Sequence, residues 1–165
     1  MVKKIILCGH GEHGKTTFCK IAQLNGYKYV DASTVCLNQI IWPLWGVHRY
    51  NSRAECFNDR RNHRDTWRKL IKSVEDIDST RLIKEVFKVS DIYDGLRNPH
   101  VLDAACREGL VNTVVWVGAE GRMSTRTVYS DRVISPASCT NIITNNGTLL
   151  EFERKVMRLL HEINI

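Results

Sequence analysis

Residues 3–8 carry the apolar run Ile5, Ile6, Leu7 and Cys8, which predicts a short buried strand. Between Thr16 and Leu24, the apolar Phe18, Ile21, Ala22 and Leu24 recur at helical spacing. Gly26 marks a turn, and residues 27–31 predict a second strand. Ser33 or Thr34 can cap a helix bearing Val35, Leu37, Ile40, Ile41 and Leu44; Pro43 and Gly46 end or bend it near Trp45. Residues 53–74 read as helical, in two pieces, and 79–87 as a shorter helix. A third strand is expected within 86–93. Asn98 and Pro99 open a helix that runs through Arg107 and closes at Gly109. Residues 113–117 predict a fourth strand, 118–131 a polar loop and 141–144 a fifth strand. The last helix is the best marked. Thr148 stands three before Glu151 in a capping box, and Leu149, Phe152, Val156, Leu159, Leu160 and Ile163 follow at helical spacing.

Strands separated by helices predict an α/β fold with a mostly parallel sheet of five strands, covered by helices on both faces. No internal repeat or linker interrupts the pattern, so residues 1–165 are expected to form one domain. Ligands in such sheets bind at the carboxyl ends of the strands. The segments after the predicted strands therefore gather on one edge: residues 9–17, Asp31, Asp94 with Arg97, and the 118–131 loop.

Composition narrows the classes. Hydrophobic residues make up 43% and charged residues 25% of the 165, the balance of a globular protein. No apolar run approaches the ~20 residues that span a bilayer, so no membrane partner is expected. The first strand starts at once, so no signal peptide is expected. Six cysteines are scattered without any C-x-x-C pair, which argues against a zinc site and for reduced thiols in a cytoplasm. The formal charge is +6. Most of it lies in residues 48–72, where eight Lys/Arg stand against three acids. Concentrated arginine suits an anionic ligand, a nucleotide or a nucleic acid; a solvated helix face is the plainer alternative.

The chemistry centres on Gly9, His10, Gly11, Glu12, His13, Gly14, Lys15, Thr16 and Thr17, which fit G-x-x-x-x-G-K-[ST]. The motif requires a strand before it and a helix after it, and both are predicted here. Glycines let backbone N–H groups curl around a phosphate, and the helix N-terminus adds its positive dipole end. Lys15 reaches the β- and γ-phosphates of ATP, and the Thr16 hydroxyl holds Mg²⁺. The imidazoles of His10 and His13 hint at a metal, but such loop positions also point to solvent.

Phosphate binding leaves switch GTPases and small-molecule kinases as candidates. The Asn-Lys-x-Asp element that reads guanine is absent. The chain resembles instead the bacteriophage deoxynucleoside monophosphate kinases of the nucleotide kinase superfamily. Three places carry the resemblance: the glycine loop; the segment 94–105, where Asp94 and Arg97 end a strand and Asp103, Ala104 and Ala105 follow on a helix; and the segment 142–150. Two departures touch the acceptor side. Val101 stands where the family has a Glu, and the acid precedes Arg97 by three residues rather than two. The resemblance implies a three-layer P-loop kinase fold and transfer of a phosphoryl group from ATP, with Mg²⁺, to a (deoxy)nucleoside monophosphate. It also implies an acceptor-binding helical segment at about 32–88 and a short lid at about 118–131.

Residue roles follow from charge. Lys15 and Mg²⁺ serve the donor, and the acceptor phosphate needs a second cation, best supplied by an arginine fork. Arg97 is first choice, with a structural salt bridge as its alternative. Arg60, Arg64 and Arg68, at i, i+4 and i+8, can complete the clamp from one helix face. Asp31 orients the acceptor or a metal-bound water, or else caps a helix; Asp91 and Asp94 are further candidates for the metal shell. Arg122 and Arg126 belong to the implied lid. Residues 145–148, including Asn145 and Gly147, are expected to wall the adenine by backbone contacts. Trp116 reads as core, whereas Trp42, Trp45 or Trp67 can wall the acceptor pocket. A modified nucleotide or a base within DNA is an alternative acceptor, a binding protein without turnover a third reading. A homodimer is compatible with everything above.

Overall fold

In the computed structural model, residues 3–121 and 134–164 are described. Four strands form one sheet: β1 (Ile5–Cys8), β2 (Ile92–Asp94), β3 (Thr113–Gly118) and β4 (Asn141–Thr144). Their order is β2-β1-β3-β4, and every pair is parallel. Leu7 lies opposite Asp94 on one side and Val115 on the other. The helices are α1 (Lys15–Leu24), α2 (Ala32–Cys36), α3 (Trp42–Leu44), α4 (Arg53–Asn58), α5 (Arg64–Glu75), α6 (Arg81–Val89), α7 (Pro99–Arg107) and α8 (Leu149–Asn164).

Alternation along the strands splits the core in two. Ile5, Leu7, Ile92, Val115, Val117 and Ile143 pack with α1 and α8 through Phe18, Ala22, Phe152 and Val156. Ile6, Cys8, Tyr93, Val114 and Trp116 pack on the other face with α2, α6 and α7 through Val35, Ile83, Val86, Leu102 and Ala105. Both faces of β1, β2 and β3 are thus buried, which is why β1 and β3 read as continuous apolar runs, whereas β4, at the sheet edge, leaves Ile142 exposed. Each fully buried Ile, Leu or Val contributes about 1.5–3 kcal/mol relative to exposure.

Two expected strands take a different form. Residues 27–31 join no ladder, so the described sheet has four strands where five were expected. Side chains hold this segment instead. Asp91 Oδ2 accepts from the Lys28 N–H at 2.8 Å, and Ser90 Oγ accepts from the Val30 N–H at 3.2 Å. One backbone bond, from Asp91 N–H to Lys28 O at 2.7 Å, completes the stitch. The third strand shrinks to Ile92–Asp94, because α6 continues to Val89. Leu82, Ile83 and Val86 bury one helical face there, and that face decides against extension.

Asp91 therefore sits at the amino end of β2, away from the strand ends where a metal shell was expected. Its carboxylate also accepts from Lys4 Nζ at 2.8 Å. Burial pushes the Asp91 carboxyl up, but the Lys4 ammonium and the Lys28 N–H outweigh it and leave the pKa below the usual value. A depressed carboxylate stabilises the fold above its unfolded pKa and loses that contribution as pH falls through the folded one. Asp91→Asn is expected to cost about 1–3 kcal/mol near neutrality. In urea melts, the gap between variant and parent should close below about pH 4. A gap that stays constant down to the acid transition would count against the Lys4 pairing as its source.

Candidate active site

The loop after β1 is shaped by two glycines with left-handed φ. Gly9 has φ 139°, and a Cβ there would strike the Val117 carbonyl oxygen. β1 and β3 can approach this closely only with no side chain at that point. Gly14 has φ 109°, caps α1 and lies against the Asn145 side chain. Glu12, between them, also has positive φ (65°), unusual for a residue with a side chain. Successive turns of this kind at a helix N-terminus are the geometry in which backbone N–H groups can converge on an anion. Gly9→Ala is expected to lower the melting temperature by several degrees, because the clash is with main chain rather than with a flexible tip. An unchanged melting temperature would show that the β1–β3 spacing is slack.

Lys15 is the first residue of α1. Its Nζ donates to Gly9 O at 2.6 Å and to His10 O at 2.7 Å, so the ammonium closes the loop on itself. Burial lowers its pKa, the Arg97 charge lowers it further, and Asp94 acts in the opposite sense. Arg97 and Asp94 are therefore electrostatic neighbours of Lys15, although more than 75 residues separate them in sequence. Asp94 is drawn in by the register that sets it beside Leu7. Its own pKa is raised, first by burial and then by the Asp31 charge. Hydrogen bonds from the Tyr29 hydroxyl and the Ala32 N–H partly offset this. Arg97 is exposed, two residues past Gly95 (φ 84°), and among the described residues it forms no ion pair.

Asp31 does cap a helix: its Oδ1 accepts from the Ser33 N–H at 2.6 Å, so the cap of α2 is Asp31 rather than Ser33 or Thr34. The same carboxylate lies close enough to Asp94 to raise its pKa, so the two roles are compatible. Asp31 and Asp94 are thus like charges, the first raising the cost of ionising the second, and a cation beside them would relieve that repulsion.

The arginine stripe does not survive folding. After α4 ends at Asn58, a 3₁₀ turn over Asp59–Arg61 breaks the helix, and α5 restarts at Arg64. Arg60 turns back, donating to Phe57 O at 3.0 Å with its guanidinium 4.0 Å from the Phe57 ring centroid. Arg64 and Arg68 remain one turn apart on α5, and Arg68 pairs with Asp65 at 3.3 Å. The break is held by Asp59, whose carboxylate accepts from Tyr50 Oη at 2.8 Å and Asn62 Nδ2 at 2.6 Å and meets His63 Nε2 at 3.0 Å. Trp67 is core rather than pocket wall, with its indole N–H unpartnered among the described residues. Trp42 and Trp45 are half-buried under Arg53 and Arg49.

In the segment expected to wall the adenine, Asn145 is buried and its N–H donates to Gly118 O at 2.7 Å. Asn146 Oδ1 accepts from the Glu120 N–H at 2.7 Å. The capping box is formed: Thr148 N–H donates to Glu151 Oε2 at 2.7 Å, with Gly147 packed against that carboxylate. Arg122, Arg126 and most of the implied lid lie outside the described residues. Sequence reasoning missed Tyr29, and also Glu75, a half-buried carboxylate within 3.4 Å of Asn98 Nδ2. Burial raises the Glu75 pKa, and the Asn98 hydrogen bond partly offsets it. Two open grooves, of about 340 and 280 Å³, lie along β4 and α8, away from this edge.

No protein-family model and no curated protein matches this sequence. Solved structures do. TT1252 from Thermus thermophilus superimposes with a TM-score of 0.54 at 16% identity, over 98% of both chains. This shows the fold: a parallel α/β sheet with helices on both faces. Dephospho-CoA kinase from Campylobacter jejuni matches with a TM-score of 0.46 at 14% identity, over 98% of this chain and 97% of that one. The second likeness is too loose to argue from. Among the described residues no helix is long and apolar enough to cross a membrane.

Proposed function

We propose that the protein is an ATP-dependent phosphotransferase that converts a (deoxy)nucleoside monophosphate to its diphosphate. One observation carries the reading: the β1–β2 register sets Asp94, with Arg97 three residues on, beside the strand that runs into the glycine loop, close enough for their charges to act on Lys15. Phosphoryl transfer asks for charge neutralisation and in-line positioning rather than covalent chemistry. The loop N–H groups and Lys15 bind the donor phosphates. Arg97 comes from a different segment, so it can hold a second phosphate with its bidentate fork. Asp31 and Asp94, with Thr16, would hold Mg²⁺, which when bound neutralises phosphate charge. Tyr29 and the Ala32 N–H fix the Asp94 carboxylate.

The test is incubation with ATP, Mg²⁺ and each monophosphate in turn, with separation of the products. ADP and a nucleoside diphosphate formed together with one monophosphate support the reading. The basic 48–72 segment favours a second reading, in which the acceptor nucleotide is carried in DNA. In that case ADP forms only with DNA, and DNA binding weakens steeply with salt. Slow hydrolysis indifferent to any acceptor marks a nucleotide-dependent binding protein instead.

A further inference from the structure

His13 occupies a position that the glycine motif leaves open, and its neighbour Glu12 is exposed. Yet His13 is only 7% exposed, which corrects the expectation of a solvent-facing imidazole. Its Nδ1 accepts from the Ala119 N–H at 3.2 Å, across 106 residues of sequence. Ala119, itself 3% exposed, is the first residue after β3. The His13 carbonyl accepts from Asn145 Nδ2 at 3.2 Å. Asn145, the first residue after β4, donates its own N–H to Gly118 O at 2.7 Å. Three hydrogen bonds thus close a ring through the loops that follow β1, β3 and β4. His10 packs edge-on to the His13 ring and to Trp116, with centroids 5.3 Å apart in each case.

We propose that the His13 side chain is a positioning residue. Through Nδ1 it fixes the peptide after β3 against the glycine loop, and so holds the loop N–H groups that face the phosphates; the imidazole itself does not touch the nucleotide. An imidazole that accepts at Nδ1 can donate only from Nε2, so the two ring nitrogens have different tasks here. Ala119 N–H is buried, and leaving it unpaired carries the full cost of its desolvation. That cost bears on the peptide that the loop packs against. The inference rests on the reading that this loop binds a nucleotide.

Side-chain geometry supplies a discriminating pair of variants. In His13→Asn the amide oxygen takes the place of Nδ1 and can accept from Ala119. In His13→Gln the oxygen stands where Nε2 was, one bond too far. Two readouts are needed: ATP affinity by calorimetry, and hydrogen exchange of the Ala119 amide without nucleotide. His13→Asn is expected to stay within about 3-fold of the parent in affinity and to keep Ala119 protected. His13→Gln and His13→Ala are expected to bind ATP roughly 5- to 100-fold more weakly, with Ala119 exchanging fast. Melting temperatures provide the check on a purely structural role. If all three variants lose stability and affinity together, His13 only fills space and the proposal fails. If His13→Gln is the better variant, Nε2 is the working atom and the proposal fails. If the parent binds no ATP, the functional reading is lost, but the exchange rates at Ala119 still decide whether Nδ1 holds this peptide.

Discussion

Lys15→Ala is expected to remove nearly all phosphoryl transfer from a protein that still folds. The side chain is half-buried and its ammonium bonds two loop carbonyls, so the apolar packing of β1 and α1 is expected to stay in place without it. Its ammonium binds Gly9 O and His10 O and stands near Arg97 and Asp94, at the point where donor and acceptor phosphates would meet. On the proposed reading, charge that grows on the transferred group is met there by a fixed cation. Removing one such group typically costs 10²- to 10³-fold, about 2.7–4 kcal/mol, and the loss should fall on kcat more than on KM. A second consequence is local. Without the ammonium, two loop carbonyls lose their donor, so some weakening of ATP binding accompanies the fall in kcat. Lys15→Arg separates the two effects: it keeps a donor for the carbonyls but is too long and too flat for the same place. A folded Lys15→Ala variant with near-parent turnover would dispose of the assignment of this loop.

The parts of the fold that were legible in the sequence are those where one local signal sufficed. β1 and β3 are buried on both faces, so they read as apolar runs, and α8 announces itself by the Thr148–Glu151 box and the spacing of Phe152, Val156 and Leu159. The failures share a cause: each depended on a particular side-chain partner that neither periodicity nor propensity reports. Residues 27–31 have strand composition, but Ser90 and Asp91 take their N–H groups, and no propensity anticipates that. Arg60 to Arg68 fit one helical face only if the helix is continuous, and Asp59 gathers Tyr50, Asn62 and His63 into a turn that interrupts it. At the site, the glycine loop carries its geometry in its own residues. Tyr29 and Glu75 matter only through Asp94 and Asn98, which the fold brings to them. His13 looked exposed because its partner, Ala119, offers nothing but a backbone N–H.

Arg97→Ala is expected to damage use of the acceptor more than use of ATP. Position is the reason. Arg97 follows β2, three residues past Asp94, and its charge acts on Lys15. It is exposed and makes no ion pair among the described residues, so its structural alternative, a salt bridge, has no partner there. A guanidinium free of carboxylates can give both arms of its fork to one phosphate and stays charged at any working pH. Its removal should cost about 2–4 kcal/mol if the acceptor phosphate is desolvated in the complex, or roughly 30- to 1000-fold in kcat/KM for that substrate. ATP affinity should change little or even rise slightly, because the same substitution relieves the repulsion that lowers the Lys15 pKa. The measurement is kcat/KM for the acceptor alongside ATP affinity, for Arg97→Ala and Arg97→Lys. Full activity in the Lys variant would remove the bidentate argument while keeping the charge. Equal losses toward ATP and acceptor would move Arg97 to the donor side. A loss confined to the acceptor would make the end of β2 the place where the second phosphate is held.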